Sequence, residues 1–145
     1  MNETPSNPAT ERMIIGATAE VDLPELNIFG LTCRVDTGAA TCALHAHEVV
    51  YHEDESGNEF IEVVLFDPEH DLYTGKKLKF TDFLSRNVRN SFGTRQKRFM
   101  IKTRLVYHHH SFDILVGFSN RTKLTYDMLL GRNLLSKGFL VDVTH

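Results

Sequence analysis

The sequence contains no tryptophan, only two cysteines and no apolar run long enough to cross a bilayer. Cys33 and Cys42 are too few for a disulfide scaffold, so we expect buried, reduced thiols and a cytoplasmic protein. The first residues lack a basic stretch followed by an apolar one, and we expect no secretory signal. These features favour a soluble globular protein that does not enter a membrane.

The length of 145 residues is enough for one domain with a substantial core and too short for two. Residues 1–12, MNETPSNPATER, are polar and interrupted by two prolines, which predicts a disordered lead-in. We therefore expect one folded domain over residues 13–145.

Two common metal and nucleotide motifs are also missing from the sequence. In HEVVYH, His47 and His52 are five positions apart, so they do not form the H-E-x-x-H pair of a zinc protease helix. No G-x-x-x-x-G-K-[ST] loop for ATP is present. We expect no metal and no cofactor. The alternative is a metal site that combines Cys42 and His45 with His47 and the distant residues 108–110.

Charge is unevenly distributed, although the net charge is only −3. Residues 76–104 contain ten Lys or Arg and a single acid, Asp82. Such a basic segment in an acidic protein either attracts an anionic partner or neutralises the acidic half of the same chain. An RNA partner is not expected, because the overall charge is negative and no aromatic RNA-binding signature is present.

Short β-type runs dominate the remaining sequence. Strand-like segments rich in β-branched and aromatic residues occur at 60–66, 98–107, 112–118 and 139–143. A helical pattern is centred on residues 133–138, NLLSKG. Several short strands with one late helix predict a mostly β fold, either a small closed barrel or a sandwich.

A candidate catalytic loop follows one predicted strand, in CRVDTGAATCAL. Asp36, Thr37 and Gly38 are the residues that an aspartic protease requires at the end of a buried strand. Two carboxylates that share a proton polarise the attacking water, and glycine lets the backbone approach the carboxylate. The triplet alone is a weak signal, because short polar triplets are common in turns.

A second segment makes the pattern specific. Residues 128–135, MLLGRNLL, combine an apolar triplet with Gly131, Arg132 and Asn133. With the Asp-Thr-Gly-Ala loop, this segment resembles the retroviral-type aspartic proteases, the retropepsins. The chain is most similar there to a bacterial family labelled ATP-dependent zinc proteases, on VDTGAATCALHA, RNVRNSFGTRQKRFMI and NRTKLTYDMLLGRNLL.

The sequence departs from that family at several positions. Cys42 stands where a serine is expected, Gln96 where an acid is commoner, and Asp127 where a proline is usual. The Ala39-Ala40-Thr41 stretch has no acid to pair with Arg132, which must bind another partner or the substrate.

The resemblance implies a small closed β-barrel of retropepsin type with one short C-terminal helix. It also implies an aspartic peptidase in which Asp36 activates a water, with Thr37 and Gly38 beside it. Relatives are often found with glutamate-ligase systems, which implies an acidic peptide or a glutamate-rich protein tail as substrate. The residues expected to bind such a substrate are Ala39, Arg89, Arg98, Arg104 and Arg132, with a structural role as the alternative for the arginines.

A single Asp-Thr-Gly in a chain this short implies a homodimer in which each subunit gives one aspartate. The closing strand, FLVDV, is apolar enough to pair with its symmetry mate. If the two Asp36 residues lie far apart, another acid such as Asp142 has to supply the second carboxylate. The alternative to a peptidase is a non-catalytic module of the same fold that holds acidic proteins or RNA on its basic face.

Overall fold

The structure, a computed structural model, describes residues 12–89 and 92–145. The expected lead-in therefore lies outside the described residues, except for Arg12. The described chain is mostly β, with a 3-10 turn at Pro24–Leu26 and one short helix, α1, at Arg132–Leu135. The strands are β1 (Met13–Ile15), β2 (Thr18–Leu23), β3 (Ile28–Val35), β4 (Cys42–Glu53), β5 (Glu59–Leu65), β6 (Leu78–Phe80), β7 (Leu84–Arg89), β8 (Arg95–Tyr107), β9 (His110–Ser119), β10 (Met128–Leu130) and β11 (Phe139–Val141).

Pairing between strands closes the main sheet on itself. The order β10-β3-β2-β8-β9-β4 returns to β10, which pairs parallel with β3 and antiparallel with β4. The link between β2 and β8 is narrow, a single pair of Asp22 with Val106. This closed ring of strands with one short helix near the C-terminal end confirms the expected retropepsin-type fold class.

The core fills the inside of the ring, because alternate residues of each strand are apolar and point inward. In β3, for example, Leu31 and Cys33 are buried while Thr32 and Arg34 are exposed. The largest fully buried side chains include Phe66, Leu105 and Leu130, so all parts of the chain contribute to one core.

Three extensions leave the ring. The antiparallel β5 and β6 continue from β4, and β7 pairs with β8 as the first arm of a hairpin. A separate two-stranded sheet joins β1 to β11 in parallel. No helix in the described ranges is long and apolar enough to span a membrane.

Two short strands differ from the expected elements. The segment before the helix forms β10, although its three apolar residues gave no periodicity to separate a strand from a helix. The residues of β7 are almost all exposed and polar, so they carried no alternating pattern either. The predicted helix is present, but as a four-residue turn that starts at Arg132.

Candidate active site

Asp36 lies at the end of β3, in a loop held by backbone hydrogen bonds. Its N–H donates to the carbonyl of Leu130 in β10 at 3.0 Å, and its own carbonyl accepts from the N–H of Ala39 at 3.2 Å. The N–H of Gly38 donates to the Asp36 carboxylate oxygen Oδ1 at 2.9 Å. The half-buried carboxylate is therefore anchored on one oxygen by its own loop.

Two glycines allow the close contacts around this loop. A Cβ on Gly38 would lie 3.2 Å from Asp36 Oδ1, and the hydrogen bond requires that approach. A Cβ on Gly131 would lie 2.7 Å from the carbonyl carbon of Thr41 and 2.9 Å from the carbonyl oxygen of Ala39. Since those atoms are backbone and cannot move aside easily, only glycine fits between the loop and α1.

The backbone at the start of α1 binds the loop after Asp36. The N–H of Arg132 donates to the carbonyl of Ala39 at 2.8 Å, and the N–H of Asn133 donates to the carbonyl of Ala40 at 3.1 Å. Unpaired N–H groups of a helical first turn are thus satisfied by the catalytic loop. The loop and the Gly-Arg-Asn segment form one hydrogen-bonded unit.

The side chain of Asn133 extends this unit to two further strands. Its Oδ1 accepts from the N–H of Cys42 at 2.9 Å, and its Nδ2 donates to the carbonyl of Leu115 at 2.8 Å. The sulfur of Cys42 accepts a weak hydrogen bond from the N–H of Gly131 at 3.4 Å. Burial raises the pKa of the Cys42 thiol to about 11, so it stays protonated at neutral pH.

Arg132 supports the loop with its side chain as well. Its Nη1 donates to the carbonyl of Thr37 at 3.0 Å. Within the described ranges it makes no ion pair with a carboxylate at 4 Å or less. The partner that the sequence left open is therefore a backbone carbonyl of the loop.

The strand register shows which residues share a sheet face with Asp36. Asp36 directly follows β3, and its N–H still bonds to Leu130 of β10. Side chains two positions apart on a strand point to the same face, so we extend the alternation by one residue and place Arg34 on the face of Asp36. Arg34 pairs with Leu129 of β10, Leu129 pairs with Ala43 of β4, and Ala43 pairs with Gly117 of β9. Directly paired residues also share a face, so this row continues the surface that carries Asp36.

The same face continues onto the β7–β8 hairpin. Gly117 pairs with Met100 of β8, and Arg98, two positions earlier, shares its face. The Cδ of Arg98 lies 3.1 Å from the place where a Cβ on Gly117 would be. Ala43 and Met100 are buried but lie outside the main core cluster, as expected for the opposite side of the sheet. We call the row Arg34, Leu129, Ala43, Gly117 and Arg98 the groove face.

The three arginines expected to bind substrate lie in different places. Arg98 is on the groove face. Arg89 is an odd number of positions from Arg86, the partner of Arg98, and so points to the opposite face of the hairpin. Arg104 lies about 20 Å further along β8, where its N–H donates to Glu25 at 2.8 Å. Of these three, the structure therefore brings Arg98 close to Gly117 on the face of Asp36, whereas Arg104 lies on the same side of β8 but far along the strand and Arg89 lies on the opposite side.

The hairpin concentrates positive charge without acidic partners. Arg86 stands opposite Arg98, and Arg89 stands opposite Arg95. Like charges in directly opposed pairs are destabilising. Between the described residues, the Lys and Arg side chains of this hairpin make no ion pair at 4 Å or less, since each such pair has a histidine as its cation. Among the described residues, the Lys and Arg side chains of this hairpin therefore do not pair directly with the acidic residues of the same chain.

A polar cluster that the sequence did not predict surrounds the buried His45. His45 is 1 % exposed; its Nδ1 accepts from the N–H of Arg121 at 2.7 Å, so its Nε2 carries the proton toward Asp67 Oδ1 at 2.9 Å. His47 lies 3.0 Å from the same oxygen. Hydrogen bonds from His45 and His47 lower the pKa of Asp67 to about 2. The sequence signal that could have revealed this cluster is a histidine, His45, inside a predicted strand with apolar neighbours.

Arg121, which donates its backbone N–H to His45, carries a buried guanidinium. Its Nε donates to the carbonyl of Tyr126 at 2.9 Å. Burial lowers the pKa of the guanidinium, while the negative charges of Asp127 and Asp36 act in the opposite direction. Arg121 is therefore within electrostatic range of Asp36.

Two histidines of the HAHEVVYH segment already bind other groups in the protein. Both ring nitrogens of His45 are engaged in hydrogen bonds, so it has no free lone pair for a metal. His52 lies against Glu62, with Nε2 2.7 Å from a carboxylate oxygen. In the parts of the chain that the structure describes, no three His, Cys, Asp or Glu side chains group as a metal site.

Asp36 has no carboxylate partner among the described residues of its own chain. The hydrogen bond that reaches its side chain comes from Gly38, and no described acid shares it. Asp142, the alternative second acid, instead accepts from the N–H and hydroxyl of Thr144, at 2.9 and 2.6 Å. These hydrogen bonds lower the pKa of Asp142.

The closed ring, the Asp-Thr-Gly loop and the Gly-Arg-Asn segment behind it define a retropepsin-like protein. A family model described as the retropepsin-like aspartic endopeptidase RimB matches residues 14–145, and the chain belongs to this RimB-like family. The crystal structure of a Legionella pneumophila protein of unknown function has a similar fold. It has a TM-score of 0.63 and 21% identity, and the match covers 91% of this chain and 94% of that one.

Similar curated proteins are much longer than this chain. A probable alpha-L-glutamate ligase from Parasynechococcus marenigrum is 32% identical over 134 residues, which cover 92% of this chain and 28% of the ligase. A protein of the same name from Desulfotalea psychrophila is 30% identical, with 90% and 28% covered. The chain thus spans little more than a quarter of the length of these relatives.

Proposed function

We propose that the protein is an aspartic peptidase that hydrolyses peptide bonds in acidic, glutamate-rich protein tails. The observation that carries this proposal is the Asp36 loop, which is anchored by Gly38 and braced from behind by Arg132 and Asn133. A carboxylate fixed in this way can accept a proton from a water that attacks a peptide carbonyl. The second oxygen of Asp36 remains available to that water.

Two independent features support an acidic substrate. The hairpin of β7 and β8 presents arginines and lysines that no described acid neutralises. The longer relatives that contain a similar segment are named as probable alpha-L-glutamate ligases. We infer from this similarity that the protein acts on a chain extended with glutamate. Arg-rich recognition suits that product, because arginine binds carboxylates with paired hydrogen bonds.

The proposed enzyme is a homodimer in which each subunit supplies one Asp36. A shared-proton mechanism needs two carboxylates, and the sequence contains a single Asp-Thr-Gly triplet. The β1–β11 sheet carries exposed Ile14 and Leu140 in direct register, which gives a symmetric partner an apolar surface. The hydroxyl of Thr37 is available to bridge the two loops.

The experiment is a cleavage assay on peptides that carry a glutamate tail. The intact protein and its Asp36→Asn variant are incubated with the tailed peptide and with a matched glutamine-tailed peptide. Products are identified by mass spectrometry. We expect shortening of the glutamate tail by the intact protein and none by Asp36→Asn. If the tail binds but neither protein shortens it, the binding-module alternative replaces the peptidase.

A further inference from the structure

We propose that Arg34 determines specificity by binding the carboxylate of the substrate residue next to the scissile bond, while Arg98 binds a second acidic residue further along the groove face. This inference rests on the peptidase function proposed above and adds to it the residues that read the substrate. The sequence did not indicate a substrate-binding role for Arg34, which lies outside the basic segment of residues 76–104.

The position of Arg34 follows from the strand that carries Asp36. It precedes Asp36 by two residues, so the two Cα atoms are about 7 Å apart. Because Asp36 directly follows β3 and still bonds to β10, the strand alternation extended to it puts the two side chains on the same side. An extended substrate advances about 3.3 Å per residue. The guanidinium of Arg34 therefore reaches the side chain of a residue adjacent to the bond that Asp36 addresses.

The guanidinium of Arg34 is available for a ligand. The residue is exposed, and among the described residues no carboxylate lies within 4 Å of it. The nearest acid on the neighbouring strand β2 is Glu20, which pairs with Thr32. Its Oε1 turns toward Gly30, to within 3.5 Å of where a Cβ would be.

Two small residues lie between the two arginines in the row. Ala43 and Gly117 pair directly and are both buried, so neither projects into the path of a peptide that joins the two arginines. From β3 to β9 there are three strand spacings, about 14 Å, which matches about four residues of an extended peptide. The side chain of Arg98 crosses over Gly117. Arg34 and Arg98 thus contact different residues of one bound tail.

The test uses a glutamate-tailed peptide and a series in which each glutamate is replaced by glutamine in turn. We expect Arg34→Gln to lower kcat/KM for the all-glutamate peptide by about 10- to 100-fold, the effect of losing a charged hydrogen bond. The variant should also lose the discrimination between glutamate and glutamine at one position, next to the cleaved bond. Arg98→Gln should lose it at a different position. Arg34→Lys should recover part of the loss, because it keeps the charge without the paired geometry.

Lys137→Gln is the matched control, because it removes one exposed positive charge away from the groove face. An equal effect of Arg34→Gln on every peptide of the series would overturn the inference. Binding is measured separately by fluorescence anisotropy of the labelled tail, with Asp36→Asn and with Asp36→Asn combined with Arg34→Gln. If the intact protein binds the tail without cleaving it, the peptidase function fails, and the affinities of these two proteins still decide the role of Arg34. Equal affinities would reject it.

Discussion

The side-chain oxygen of Asn133 accepts a hydrogen bond from the backbone N–H of Cys42, 91 positions earlier in the chain, at 2.9 Å. The amide nitrogen of the same side chain donates to the carbonyl of Leu115 at 2.8 Å. One partly buried side chain therefore connects α1 to β4 and β9, directly behind the loop that carries Asp36.

Replacing Asn133 by alanine removes both hydrogen bonds and leaves two backbone groups unpaired. We expect Asn133→Ala to lower the free energy of unfolding by about 2 to 4 kcal/mol, which lowers Tm by about 4 to 16 °C. Asn58→Ala is the control, since Asn58 donates its amide to Asp54 in an exposed turn. A thermal melt in which both variants lose the same stability would contradict the bracing role.

Removal of metal should not affect the proposed peptidase. In the proposed mechanism Asp36 accepts the proton, and the ring nitrogens of His45 are engaged in hydrogen bonds and not available to a metal. We expect full activity after dialysis against a chelator and complete loss in Asp36→Ala. The measurement is tail cleavage before chelation, after chelation and after added zinc. Activity that disappears with the chelator and returns with zinc would show a metal-dependent enzyme.

Stability at low pH should depend on Asp67. Its pKa in the folded protein is about 2, below the ordinary value, because His45 and His47 hydrogen-bond to the charged form. A lowered pKa stabilises the fold above the ordinary value near 4 and loses that contribution as the pH falls toward 2. We expect the Tm difference between the natural protein and Asp67→Asn to shrink from pH 5 to pH 2.

The control for this measurement is Asp71→Asn, which changes an exposed carboxylate in the same loop. Its melting temperature should follow that of the natural protein throughout the range. If the Tm of Asp67→Asn and the Tm of the natural protein fell in parallel over this pH range, the hydrogen bonds of His45 and His47 to Asp67 would make no contribution to stability at acid pH.

Dimer formation should depend on the apolar pair of the β1–β11 sheet. Ile14 and Leu140 stand in register and are 41% and 52% exposed. Leu140→Glu places a charge on each side of the proposed two-fold contact, so we expect a monomer and loss of cleavage. Light scattering reports the mass, and activity is followed over a dilution series. Phe29→Glu changes a similarly exposed side chain, 55%, elsewhere on the surface and should remain dimeric. A natural protein with the mass of one chain would reject the dimer.

The fold class could be predicted from the sequence because the longer strands, β5, β8 and β9, carry β-branched and aromatic residues in clear runs. The two strands that escaped prediction are β7 and β10. Their positions depend on partners far away in sequence, since β10 is defined by its pairs with β3 and β4. Local propensity contains no information about such pairing.

The catalytic loop was visible in the sequence because its residue types are demanded by its geometry, as Gly38 and Gly131 show. The groove face was not visible. Arg34 has no special neighbours in sequence, and only the register with Leu129 and Ala43 places it in a continuous surface. The basic segment could be recognised in the sequence from its many Lys and Arg residues. Which of these arginines lie on the same face of the hairpin could be read only from the strand register, in which Arg86 pairs with Arg98.

Strand β10 also limits when the Asp36 loop can take its final structure during synthesis of the chain. Asp36 and its neighbours are synthesised long before residues 128–130, yet among the described residues the N–H of Asp36 bonds to the carbonyl of Leu130. Pairing between segments so far apart in sequence is slow to form. A nascent chain that has not reached residue 128 therefore contains the Asp-Thr-Gly triplet but not the ring that holds it. The site cannot assemble before residues 128–130 have been synthesised.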